Sequence, residues 1–333
     1  NAPTTIDSLA APHGALYLSE ILAANAAAHS NAGREPDYVE IHNSGPSIIP
    51  LDGYTMTDDP AAPDKFTFPA GTSIAPGERL LLYGDSRTGD PGLHLGFALR
   101  VEGESVHLFD SGGSPVDEVV FGPQVPDLSI SRISGAWRLS IPTPGGANSV
   151  QPLGNPATLR LNEWLAKPEL TFDEDFLELY NPDALPVSLG GLAVTDDPLN
   201  YPRRATLPPL SFIAANGFVV LEAVGGDATP NTTDLPFKLG AAHGWIAIAG
   251  SNDAEIDRIH YLCDFRDQSQ GRETDGATRF ADFAFPTPGL SNSTDLTAEI
   301  AILDSLRITE IMYHTADGGS AGEYIELRNV GPE

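Results

Sequence analysis

Short apolar runs rich in β-branched, aromatic and aliphatic residues alternate along the whole chain with clusters of Gly, Pro, Asp and Ser. No window sustains a 3.6-residue period with capping residues, so the pattern predicts strands. In the first part of the chain they fall near 15–22, 37–43, 52–57, 79–84, 105–110, 116–121 and 128–133. Ser111-Gly112-Gly113-Ser114 and Ser251-Asn252-Asp253-Ala254 read as hairpin turns. Alternation assigns faces. In Tyr38–Asn43, Val39 and Ile41 share one face, while Glu40 points outward with Tyr38 and His42. Glu178 and Glu326 follow the same pattern. Glu20 shares parity with Leu16, Leu18 and Leu22, and Glu163 with Leu159, Leu161 and Leu165. A carboxylate on an apolar face is costly unless paired. Glu20 and Glu163 are therefore expected to be partly buried structural carboxylates, with Arg132 and Arg272 as their partners. Trp164 has the opposite parity and is expected on the far face or at a domain boundary, where an exposed tryptophan would suit a sugar.

The pattern repeats. Leu18-Ser19-Glu20-Ile21-Leu22 recurs as Leu161-Asn162-Glu163-Trp164-Leu165 and as Ile308-Thr309-Glu310-Ile311-Met312. Tyr38-Val39-Glu40-Ile41-His42-Asn43 recurs at Phe176–Asn181 and Tyr324–Asn329. Thr57-Asp58-Asp59-Pro60 matches Thr195-Asp196-Asp197-Pro198. From Gly77 to Arg132 the matches follow a constant offset of 140, pairing Asp117 with Asp257, Ser129 with Ser269 and Arg132 with Arg272. Each copy closes on the same string, at Thr143-Pro144-Gly145 to Asn148-Ser149 and at Thr287-Pro288-Gly289 to Asn292-Ser293. The expected organisation is a sandwich over 15–149, a linker over 150–158, a second sandwich over 159–293, a linker over 294–305, and a truncated third repeat over 306–333. The second linker reads as either a short helix or an extra strand. About seven strands per copy predict an all-β fold: two tandem immunoglobulin-like antiparallel sandwiches and a partial third.

Taken together, these strings resemble the lamin-tail domain. The resemblance implies an immunoglobulin-like module without a set of catalytic residues, found on bacterial secreted or surface proteins. Such modules stand beside nucleases, phosphatases or spore-coat-type kinases. It therefore implies an extracellular or cell-surface location. Two readings are open. In one, the chain is a non-catalytic structural or binding module that positions a neighbouring domain or attaches to a protein or surface ligand. In the other, it is the accessory region of an extracellular enzyme whose catalytic domain lies beyond Glu333. The incomplete third copy suggests a piece of something longer.

Composition narrows this picture. The 333 residues carry 46 acidic against 18 basic side chains, a net charge of −28. That balance disfavours nucleic acid, which needs Lys and Arg to displace counterions. No apolar stretch is long enough to span a membrane as a helix. The single cysteine, Cys263, leaves the redox compartment open.

The candidate chemistry is sparse. Asp58 and Asp59, and Asp196 and Asp197, are paired carboxylates on loops, candidate Ca²⁺ ligands or Asp turns before proline. Gly84-Asp85-Ser86 resembles the start of a hydrolase motif, but Ser86 aligns with Gly226 and is followed by residues unsuited to a helix. The eight histidines, from His13 to His314, lack metal-ligand spacing. The strands of 306–331 carry Leu306, Ile308, Met312, Ile325 and Leu327, which call for burial; docking or dimer formation through this hairpin would supply it.

Overall fold

The computed structural model describes residues 14–226, 232–263, 265–295, 297–313 and 323–331; His13 and His314 lie outside them. The protein is all-β. In the first sandwich a seven-stranded sheet runs in the order Ser149–Val150, Ala136–Ile141, Ser129–Ile133, Leu16–Leu22, Asp37–Asn43, Arg79–Gly84 and Leu93–His94. A four-stranded sheet, ordered Pro115–Phe121, Glu104–Phe109, Thr55–Thr57 and Phe66–Thr67, supplies the other layer. Every pairing is antiparallel except that of Arg79–Gly84 with Leu93–His94. Leu18, Val39, Ile41, Leu82 and Ile130 from the larger sheet meet Met56, Val106, Leu108 and Val119 from the smaller in one buried core. Burial of these apolar faces is the main stabilising term.

The second sandwich has the same plan. Its larger sheet runs Phe218–Ala223, Asp175–Tyr180, Arg160–Leu165, Ser269–Arg272, Phe280–Phe283. Its smaller sheet runs Ala205–Thr206, Ala193–Thr195, His243–Ala249, Glu255–Leu262. The segment after Asn292 resolves as a helix, Thr297–Ser305, followed by the hairpin Leu306–Met312 with Tyr324–Asn329.

The offset between copies is not constant. Glu78 O accepts from Asn43 N, and Gly217 O from Asn181 N, so Glu78 matches Gly217 and the offset there is 139. Leu82 pairs with Val39 and Leu221 with Leu177, which keeps it at 139 through the strand. The extra residue enters in the following loop, and 140 returns at the buried Leu95 and Leu235.

One irregularity corrects two expectations, and a covering segment corrects a third. The first strand of each copy carries a β-bulge: the register shifts between Leu18 and Glu20, between Leu161 and Glu163, and between Ile308 and Glu310. A bulge inserts one residue and reverses the parity of every residue beyond it in the strand. Glu20 therefore leaves the leucine face and stands opposite Glu40 across the pair. Ile21 and Trp164 move into the core instead of the far face. Glu40 and Glu178, expected to point outward into solvent, are both fully buried, because the closing segment covers that face. In the third hairpin Glu310 likewise opposes Glu326, but both strands are exposed throughout.

Candidate functional site

The most polar buried ground lies on the face of each larger sheet opposite the core. There the closing Thr-Pro-Gly string folds over the carboxylate pair. In the first copy Thr143 N donates to both oxygens of Glu20 at 3.1 and 3.3 Å, and Ser129 Oγ donates to Oε1 at 2.5 Å. Gly145 N donates to Glu40 Oε2 at 2.7 Å. Gly145 sits at φ +73°, a conformation that suits glycine, and this turns its N–H toward the carboxylate. Asn148 Nδ2 then donates to the carbonyls of Ser19 and Arg132, at 3.0 and 2.9 Å, and stitches the bulge to the neighbouring strand.

The second copy repeats this. Thr287 N reaches Glu163 at 2.9 and 3.2 Å, and Gly289 N reaches Glu178 Oε2 at 2.6 Å. Asn292 Nδ2 donates to Asn162 O and Arg272 O at 3.1 and 2.7 Å. Backbone N–H donors offset part of the cost of burying these carboxylates.

The copies differ in counter-charge. In the first, Arg79 binds Glu40 at 2.9 Å and also contacts Ser19 Oγ. Arg79 stands opposite His42; the matching position opposite Tyr180 is Phe218, which stacks on it at 5.1 Å. Glu178 therefore has amide donors, including Asn162 Nδ2 at 2.9 Å, but no arginine there. Burial raises the carboxyl pKa of both Glu20 and Glu40. Burial also pushes Glu178 up to about 8, with Glu163 and Asp275 adding like-charge repulsion.

Arg132 and Arg272 do not meet the glutamates. Arg132 Nη2 binds Asp117 at 2.9 Å, and Arg272 Nη2 binds Asp257 at 2.7 Å. The second oxygen of Asp117 accepts from Leu18 N at 2.9 Å; Leu161 N donates to Asp257 at the same distance. These arginines lie on the core side, where the bulge no longer places Glu20 or Glu163. Asp117 and Asp257 are strand positions shared by both copies, and that shared position was the signal that could have found them.

The aspartate pairs form turns. Asp58 binds Lys65 at 2.7 Å, and Asp196 binds Arg204 at 2.6 Å. Asp59 Oδ1 accepts from Ala61 N, and Asp197 Oδ1 from Asn200 N, as expected of capping side chains. An ammonium or guanidinium thus already neutralises one carboxylate of each pair.

Ser86 occupies a tight turn in which Thr88 N bonds back to Ser86 O at 3.2 Å. The nearby His94 contacts Asp85 through Nδ1 at 2.5 Å and the Asp90 carbonyl through Nε2 at 3.2 Å. Both ring nitrogens are engaged, so neither is free to act as a base for Ser86. A different constellation escaped sequence reasoning. His107 Nε2 lies 2.8 Å from Ser105 Oγ, and its Nδ1 lies 3.2 Å from Glu118. These are the contacts of a nucleophile, a base and an orienting carboxylate. Ser105 and His107 lie on a strand of the smaller sheet, Ser105 opposite Val120, and His107 between Glu118 and Thr57. The second copy has Trp245, Ala247 and Arg258 at the matching positions.

Residues 10–123 match the family model of the Lamin Tail Domain. No curated protein and no solved structure matches the chain. The matched family is immunoglobulin-like, in keeping with the sheets described above. Among the described residues, no helix is long and apolar enough to cross a membrane, and no group of three or more His, Cys, Asp or Glu is arranged to hold a metal.

Proposed function

We propose that this chain is a non-catalytic structural and binding module of a bacterial extracellular or cell-surface protein, built from lamin-tail-like repeats over 15–149 and 159–293. Its task would be to hold a neighbouring domain, or a surface attachment, at a set distance. The observation that carries this reading is the joint between the sandwiches. Phe212 N donates to Pro123 O at 2.8 Å, and Gln124 Nε2 to Leu210 O at 2.7 Å. The Phe212 ring enters the first core. Gly122 lies so close to the 208–211 loop that a Cβ would collide with Ser211 Oγ and Pro208 Cγ. A joint that shares core and hydrogen bonds behaves as a strut; a flexible linker would leave the sandwiches free. The buried carboxylates serve the same end, because they pin each closing segment to its opening hairpin.

Small-angle X-ray scattering tests this. The wild-type profile is expected to fit one rigid two-sandwich body. Gly122→Val should loosen the joint and raise the radius of gyration. A wild-type profile that requires an ensemble of orientations would refute the strut.

A further inference from the structure

The two sandwiches diverge sharply along one cross-strand row. In the first, Ile21, Ile130 and Leu139 stand side by side across three strands, and all three are buried. The same row in the second sandwich is Trp164, Gln270 and Asp282. Trp164 remains buried, Gln270 is half-buried and Asp282 is exposed. Two residues along, buried Trp137 opposite Arg132 is matched by Phe280 opposite Arg272, and Phe280 is 50% exposed. A closed apolar row has thus become an open one with polar ends.

What opens is a cleft of about 330 Å³ between the edge strands Glu255–Leu262 and Phe280–Phe283. That is near the lower end for a small-molecule site. Its floor is aromatic: Trp164 lies 5.8 Å from Phe280, edge to face, and 6.0 Å from Tyr261. The Arg272 guanidinium, 5.1 Å from the Phe280 ring, steadies that ring from the core side. Gln270 Nε2 donates to Asp282 Oδ1 at 2.7 Å, which orients the amide. Two polar atoms at this site are buried without a partner among the described residues: the Trp164 Nε1 donor and the Gln270 Oε1 acceptor.

We propose that this cleft binds a neutral pyranose. The C–H face of a sugar ring would lie on Phe280. Its hydroxyls would donate to the exposed Asp282 carboxylate, which the Gln270 amide holds in place. The carboxylate and the net charge of −28 select against anionic sugars and phosphates. This inference rests on the binding-module reading and names the class of its surface ligand.

The test titrates the full chain with methyl pyranosides of glucose, galactose and mannose and with N-acetylglucosamine. Tryptophan fluorescence and saturation-transfer NMR report binding. At least one sugar should saturate with a dissociation constant on the order of 1 mM. Gln270→Ile and Asp282→Leu, which restore side chains of the first sandwich's type, should each weaken it about tenfold while the fold is retained. Circular dichroism checks that retention, and Phe280→Ala should abolish ring stacking without touching the polar pair. No saturable neutral sugar, affinity indifferent to Gln270→Ile and Asp282→Leu, or preference for glucuronate or for an extended peptide would each overturn the proposal. A sugar failure with an unchanged scattering profile would leave the strut reading intact, so the two fail separately.

Discussion

Replacing Glu178 by Gln should remove a pH dependence that belongs to the second sandwich. In the folded protein Glu178 has its carboxyl raised from 4.5 to about 8 by burial, with Asn162 and Gly289 as donors and no arginine. A group whose pKa rises on folding binds its proton more tightly when folded. Its contribution is fully present below the unfolded value and is lost as pH climbs through the folded one. The window therefore runs from about pH 4.5 to about pH 8, and the difference is on the order of 5 kcal/mol. Urea denaturation at a series of pH values measures it, with fluorescence of Trp164 and Trp245 reporting the second sandwich. The strongly acidic surface also repels itself more as pH rises, so the variant is the necessary reference. Wild-type stability should fall by several kcal/mol more than that of Glu178→Gln between pH 5 and pH 9. Phe218→Arg, which recreates the arginine of the first copy, should flatten the slope as well. Parallel pH profiles for wild type and both variants would refute the reasoning.

Asp117→Ala should cost about 3–5 kcal/mol, because it takes the buried carboxylate away from Arg132 and the Leu18 N–H; chemical denaturation reads this, and a loss under about 1 kcal/mol would contradict it. Millimolar Ca²⁺ should leave the melting temperature unchanged, since Lys65 and Arg204 already neutralise Asp58 and Asp196; a rise of several degrees would restore the calcium reading. The hairpin Leu306–Met312 with Tyr324–Asn329 exposes Ile308, Ile311, Ile325 and Leu327. Concentration-dependent self-association, abolished by Ile308→Lys with Ile325→Lys, is therefore expected in sedimentation velocity, and a strict monomer would count against it.

Alternation of apolar and turn-forming residues located seven strands of the first sandwich but missed Ala136–Ile141 and the short strands Phe66–Thr67 and Leu93–His94. Arg79–Gly84 falls where the pattern put it, and the other runs shift by at most a few residues. Glu20, Glu40, Asp117, Arg132 and the closing Thr-Pro-Gly turn all stand in both copies, but the repeat alone did not single out Asp117. Partnership was another matter. Strand parity assumes an unbroken pleat, and a bulge marked by nothing more than Ser19 or Asn162 reverses it. That single inserted residue sends Glu20 to Glu40 and leaves Arg132 to Asp117. Burial of the outer face was hidden for a related reason. A segment more than a hundred residues away covers it, and local pattern carries no record of such contacts. Sequence alone therefore determined most of the longer strands, the repeated strings and the buried glutamates and arginines. Tertiary structure decided which of them face each other, because closure of the Thr-Pro-Gly segment over the bulge is set by hydrogen bonds between distant parts of the chain.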